Sequence, residues 1–194
     1  MWIFKAKHGP ASAPPRGSWV LAALMAVVLG AAGCGDMAGD LLPSGADKRG
    51  GDGPYPGHPA PDFTVTDSLN NPVTLSAQLT PATPGSGVVL YFTMWCPVCN
   101  GHADQILSSF TAAYPNVRFY LVDFVSSTVA QVRGNQLAYG YGALTTLADT
   151  ARQVFNKYEG TMAIAVVVDR NGIIQMNEGF KDGARLTGVL NSLP

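Results

Sequence analysis

Tyr91-Phe92-Thr93-Met94-Trp95-Cys96-Pro97-Val98-Cys99 is the stretch whose reading decides the fold of this chain. Residues 88–92 lead into it as a continuous apolar run, more like a strand buried on both faces than a half-exposed one. Residues 100–113 follow it with Ile106, Leu107 and Phe110 on one helical face, extended by Ala103 and Ala113. Pro97 suits the first turn of that helix, where its missing N–H would be unpaired anyway. Two cysteines at i and i+3 in a first helical turn can face each other and close a small disulfide ring. The free N–H groups of a strand-to-helix junction favour a thiolate over a thiol. Cys96, at the junction, is the expected nucleophile, and Cys99, one turn inside, the expected resolving thiol. Attack on a disulfide, a mixed disulfide and its resolution is the chemistry this spacing allows. A closed disulfide that only staples the helix start is the structural alternative.

Outward from this stretch, residues 117–125 form a second apolar strand. The order strand, helix, strand asks for a right-handed crossover and parallel pairing. Upstream, residues 62–66 and 73–75 alternate weakly around the polar cluster at 67–72, which reads as a β-hairpin. Downstream, Thr128 and Gln131 have capping-box spacing for a short helix that Gly134 would end. Residues 135–147 show no period and read as loop. Asp149 is placed to cap a helix through Arg152, Val154, Phe155 and Tyr158, closed by Gly160. Residues 164–168 form a third buried strand. Asn171-Gly172 turns it back into residues 173–176, and residues 184–193 close the chain as an amphipathic helix. The expected class is α/β, with a mixed central sheet flanked by helices.

The chain has 194 residues, three cysteines and a formal net charge of −1. Its start carries Lys5, Lys7 and Arg16, then an apolar stretch over residues 19–29, then Gly30-Ala31-Ala32-Gly33-Cys34. The apolar stretch is too short to favour a stable span, which needs about 20 residues. This segment resembles a bacterial lipoprotein signal peptide, cleaved before a lipidated cysteine. The resemblance implies a leader over residues 1–33, acylation (palmitate among the chains) at Cys34, and a flexible linker over residues 34–56. It also implies a cell-envelope location, with the domain at residues 57–194 facing the periplasm. The 161 residues after such cleavage carry nine Lys and Arg against 13 acids. With no basic cluster to meet phosphates, nucleic acid is not an expected partner.

Ala60-Pro61-Asp62-Phe63-Thr64-Val65 with Asn70-Asn71-Pro72-Val73-Thr74-Leu75, the set Phe92, Trp95, Cys96 and Cys99, and Val166 through Ile174 together carry a second resemblance. In order and spacing they resemble the thioredoxin superfamily, in its redoxin branch of peroxiredoxin-like proteins and TlpA- and ResA-like thiol–disulfide oxidoreductases. The resemblance implies a thioredoxin-like fold and an oxidoreductase using the Cys96/Cys99 dithiol on protein dithiols or disulfides. It also implies a membrane redox partner; a monomer with no cofactor and no bound metal is expected. Two features depart from the family. Its cis-proline before the late strand is replaced by Ala163, preceded by Met162, and a cis bond there would cost about 2.5–4 kcal/mol, so trans is expected with a reshaped groove. Pro97-Val98 differs from the Gly-Pro of thioredoxin itself.

The remaining candidates divide between chemistry and packing. Thr93, three residues before Cys96, resembles the peroxiredoxin threonine that helps hold peroxide, yet threonine is also ordinary strand composition. The matching peroxidase arginine has only Arg133, Arg152 and Arg170 as candidates. A thiol peroxidase therefore stands as the alternative enzyme. Trp95 could cover the dithiol or pack the core, and Met94 reads as packing. His102, three residues past Cys99, could complete a soft-metal ligand set, giving a non-catalytic metal-handling module as a third reading. Asp62 and Asp67 are the candidates for an acid beneath the dithiol.

Overall fold

A computed structural model of the chain describes residues 53–79 and 83–194. The leader over residues 1–33, Cys34 and the linker up to residue 52 lie outside the described residues. Among the described residues no helix is long and apolar enough to cross a membrane.

Strand β3 (Gly87–Thr93) is the apolar run before the dithiol, and every one of its residues is buried. It pairs in parallel with β4 (Val117–Asp123) from Gly87↔Val117 to Thr93↔Asp123. The connection between them is helical: α2 (Pro97–Gln105), a π-helical stretch (Ile106–Phe110) and α3 (Thr111–Ala113). On its other side β3 pairs antiparallel with β6 (Ile164–Asp169), which pairs antiparallel with β7 (Ile174–Gly179). At the far end β1 (Thr64–Asp67) pairs antiparallel with β2 (Pro72–Thr74), and α1 (Leu75–Gln78) follows directly. A further strand, β5 (Thr145–Ala148), lies parallel to β4 and antiparallel to β1. The seven strands run in the order β2-β1-β5-β4-β3-β6-β7.

Alternation along β3 divides the interior into two cores, because successive strand residues face opposite sides. Val89 and Tyr91 join Cys99, Ile106, Phe110, Phe180 and Leu186 on one face. Val88, Leu90 and Phe92 join Phe63, Leu75, Val154 and Tyr158 on the other. The closing helix α6 (Ala184–Leu190) buries Leu186, Val189 and Leu190 as its spacing predicts.

Three sequence expectations need correction. Residues 135–147 are not all loop. Helix α4 (Val129–Ala138) runs through Gly134, and β5 occupies residues 145–148. Thr128 does cap α4, its hydroxyl accepting from the Gln131 N–H at 3.2 Å, but the Gln131 side chain reaches back to the N–H of Ser127. Gly134 is tolerated inside the helix because tertiary packing of Val132 and Gln136 outweighs its weak propensity. Strand β5 is too short to show a period, and its partners are distant in sequence. Asp149 caps α5 (Gln153–Tyr158) from outside: its carboxylate accepts from the N–H groups of Val154 at 3.1 Å and Phe155 at 2.7 Å.

Candidate active site

Three residues, Met94, Trp95 and Cys96, connect the end of β3 to the start of α2. Trp95 turns that corner with φ 60°, a left-handed conformation unusual for a large side chain, which costs about 1–3 kcal/mol when surroundings enforce it. Those surroundings are on hand. The Trp95 N–H donates to Thr93 Oγ1 at 3.1 Å, and its indole Nε1 donates to Asp123 Oδ2 at 2.7 Å. The indole stacks on Tyr139 at 5.6 Å with planes 6° apart, and on Tyr141 at 6.4 Å. Asp123 sits opposite Thr93 at the end of β4, fully buried, and also accepts from the N–H groups of Val125 and Ser126 and from the Ser126 hydroxyl.

With the corner fixed, Cys96 becomes the N-cap of α2. Its backbone is extended and its Sγ accepts from the Cys99 N–H at 3.3 Å. The two cysteines are free thiols with sulfurs 2.8 Å apart. Cys96 is partly exposed, while Cys99 has no exposed surface. Burial, followed by the hydrogen bond to Cys96, pushes the Cys99 thiol above its ordinary value, so it holds its proton while Cys96 is available to solvent. Pro97 occupies the first turn of α2, where it is exposed beside Val98.

Met162 and Ala163 close the site from the loop before β6. Met162 Sδ lies 3.5 Å from Cys96 Sγ. The peptide before Ala163 is trans and Ala163 has φ 63°. Its N–H donates to the Phe92 carbonyl at 3.0 Å and its carbonyl accepts from the Phe180 N–H at 2.8 Å. The loop that carries proline in dithiol relatives is thus tied to β3 by a hydrogen bond that proline could not make.

The other candidates are placed as follows. Thr93 is buried, and its hydroxyl serves the Trp95 backbone. Arg133 bonds Gln136, Arg152 lies over the Phe155 ring at 4.0 Å, and Arg170 lines a groove with Ala60 and Leu75. His102 points into the protein: Nδ1 is 2.9 Å from the Tyr91 hydroxyl, and the ring packs 4.5 Å from Phe180. Among the described residues no group of three or more His, Cys, Asp or Glu side chains is gathered to hold a metal. Asp62 and Asp67 belong to the β1–β2 end: Asp62 accepts from Ser76, and Asp67 from Leu69 and Asn71. Sequence reasoning missed Asp123 and Tyr91 as polar groups around the dithiol, and it read His102 as a candidate metal ligand where the structure pairs it with Tyr91. The available signal for Asp123 was a charge within the apolar run 117–125.

Solved structures with the same thioredoxin-like fold include a Bacteroides thetaiotaomicron protein described as a candidate protein disulfide isomerase. It is 23% identical, with TM-score 0.60 over 72% of this chain and 89% of its own. A secreted Mycobacterium tuberculosis disulfide oxidoreductase, homologous to E. coli DsbE, is 24% identical, with TM-score 0.52 over 68% of this chain and 96% of its own. A thiol peroxidase from Chromobacterium violaceum is 12% identical, with TM-score 0.55 over 73% and 89%. No curated protein matches the chain in sequence. Residues 56–177, which contain the strand, the dithiol and the Met162-Ala163 loop, match the AhpC/TSA family. That match takes in well over half of the chain, and the protein belongs to the AhpC/TSA family.

Proposed function

We propose that this oxidoreductase exchanges disulfides with other proteins through Cys96 and Cys99, and that it does so outside the cytoplasm, anchored through a lipidated Cys34. The pairing of a reachable sulfur with an enclosed one 2.8 Å away is the observation that carries the reading. The Cys96 thiolate attacks one sulfur of a partner disulfide, forming a mixed disulfide and releasing the other sulfur as a thiolate. Cys99 then attacks Cys96, forming the intramolecular disulfide and expelling the partner's second sulfur. The partner leaves reduced by two electrons and the dithiol oxidised by two, and the reverse sequence oxidises a partner.

The surroundings suit a polypeptide. Exposed Met94, Pro97 and Val98 rim Cys96, and an open groove beside Trp95 is lined by Val125, Gln131 and Tyr139. The Thr93 hydroxyl, turned inward to the Trp95 N–H, is not offered to a peroxide at Cys96. The lipoprotein-like leader and the secreted M. tuberculosis neighbour support the extracytoplasmic part of the reading.

Cys99→Ala tests it. The variant should accumulate a partner-linked species that reductant releases and that Cys96→Ala abolishes. Absence of any mixed disulfide, with no measurable dithiol couple in the full chain, would refute the reading. Labelling with radioactive palmitate, lost in Cys34→Ala, tests the anchor.

A further inference from the structure

Resolution requires the buried thiol to lose a proton in a place where water is excluded. Cys99 has no exposed surface, and burial together with its bond to Cys96 raises its pKa. The acids singled out from sequence lie at the other end of the sheet, and Asp123 is occupied by the Trp95 corner. Beside the buried thiol, in the same core cluster, lies Tyr91 from the middle of β3, its hydroxyl electrostatically coupled to Cys99. The same hydroxyl is 2.9 Å from His102 Nδ1. Tyr91 and His102 meet edge to face at 5.8 Å, and Phe180 packs against both rings, fixing their mutual orientation. The Lys181 backbone lies beside the His102 ring and favours its protonated form, against the larger effect of burial. In the tautomer with its N–H on the other ring nitrogen, His102 presents Nδ1 to the Tyr91 hydroxyl as an acceptor.

We propose that Tyr91 and His102 form a proton relay for the resolving cysteine, a role that rests on the dithiol reading above. In the mixed disulfide Cys96 is bonded to the partner's sulfur and is no longer available as the hydrogen-bonding thiol beside Cys99. The Cys99 S–H then donates to the Tyr91 oxygen while the Tyr91 O–H donates to His102 Nδ1. One proton moves from sulfur to oxygen and another from oxygen to nitrogen, so tyrosine stays neutral and the histidine becomes an imidazolium. The electron pair left on Cys99 forms the new bond to Cys96. The pair of the Cys96–partner bond departs on the partner's sulfur as a thiolate. His102 is partly exposed and returns its proton to solvent.

Two electrostatic facts fit this division of labour. Burial and the neighbouring Cys99 push the Tyr91 hydroxyl far above its ordinary value, so it passes a proton on without becoming a tyrosinate. Burial holds His102 below 6.5, so it is neutral and ready to accept at physiological pH. The titratable groups facing the pair are Cys96 and Cys99 from the start of α2 and Tyr141 from the segment after α4, itself beside Asp104. Lys181 meets the pair through its backbone.

The test uses the reduced full chain carrying Cys34→Ala, so that only the dithiol reacts, and dithiobis-nitrobenzoate in stopped flow. The first thionitrobenzoate released reports attack by Cys96, and the second reports resolution by Cys99. In Tyr91→Phe and in His102→Gln the ratio of second-phase to first-phase rate should fall about tenfold to a hundredfold at pH 7. In the parent Cys34→Ala chain the second phase should stay level from neutral pH down to the His102 pKa and drop below it. In both variants it should climb about tenfold per pH unit between pH 6 and pH 8, following the thiol alone. A ratio and pH profile unchanged in both variants would overturn the relay. So would equal slowing of both phases, which marks a disturbed dithiol. A parent chain that released no thionitrobenzoate at all would instead sink the dithiol reading.

Discussion

Asp123→Asn is the substitution that most directly probes how the dithiol corner is held. The Asp123 carboxylate divides its work between its oxygens. Oδ1 accepts from the N–H groups of Val125 at 3.0 Å and Ser126 at 2.9 Å. Oδ2 accepts from Trp95 Nε1 at 2.7 Å and from the Ser126 hydroxyl at 2.6 Å. Asparagine can keep one oxygen on the two backbone donors, which places its amide N–H₂ against the other two. The Ser126 hydroxyl can rotate and accept, but an indole N–H only donates. The lost interaction is therefore one hydrogen bond to a charged group, about 1.5–3 kcal/mol, plus an unpaired buried indole N–H at about 1–3 kcal/mol. Trp95→Phe removes that N–H from the other side. A double-mutant cycle by urea unfolding, followed by far-UV circular dichroism, should give a coupling of about 1.5–3 kcal/mol between the two positions. A coupling below about 0.5 kcal/mol, with the two losses adding, would show that the indole–carboxylate bond does not hold the corner.

Further outcomes follow from neighbouring geometry. Ala163→Pro, the change that restores the residue of dithiol relatives, should destabilise by about 3 kcal/mol or more, because proline cannot adopt φ 63° and lacks the N–H given to Phe92. A melting temperature at or above wild type would refute this. Gly160→Ala puts a methyl group into the Phe92 ring and should cost about 1–3 kcal/mol by urea titration; an unchanged midpoint would contradict that packing. Because burial lowers the folded-state pKa of His102, the unfolded chain binds the proton more readily. The wild type should therefore lose stability as pH falls from 6.5 through that lower value, a loss that His102→Gln should not show. Equal slopes in the two proteins would reject it.

The sequence was most legible where a local pattern coincided with the final environment. Residues 88–92 are apolar throughout because β3 is buried on both faces, and the crossover from β3 to β4 follows from strand, helix and strand in that order. The dithiol was readable from spacing, since an i, i+3 pair at a helix start meets whatever surrounds it. The π-helical stretch at Ile106–Phe110 was not readable, because its residues keep an ordinary helical pattern. Strand β5 escaped for a different reason: four residues carry no period, and their strand character comes from β4 and β1, more than 20 residues away in sequence.

The amino-acid order by itself determined the redoxin-like succession of elements, the position of the two thiols at a strand-to-helix junction, and the absence of proline before the late strand. Those are properties of spacing and residue type, which need no partner from elsewhere in the chain. Only the tertiary structure decided what surrounds the sulfurs. Asp123 reaches Trp95 from a neighbouring strand, Met162 meets Cys96 across 66 positions, and Tyr91 faces the helix side of the sheet beside His102 and Cys99. A hydrogen bond between residues far apart in the chain depends on strand register and on which face each side chain takes. Pairing β3 with β4 and laying α2 across them fixes both.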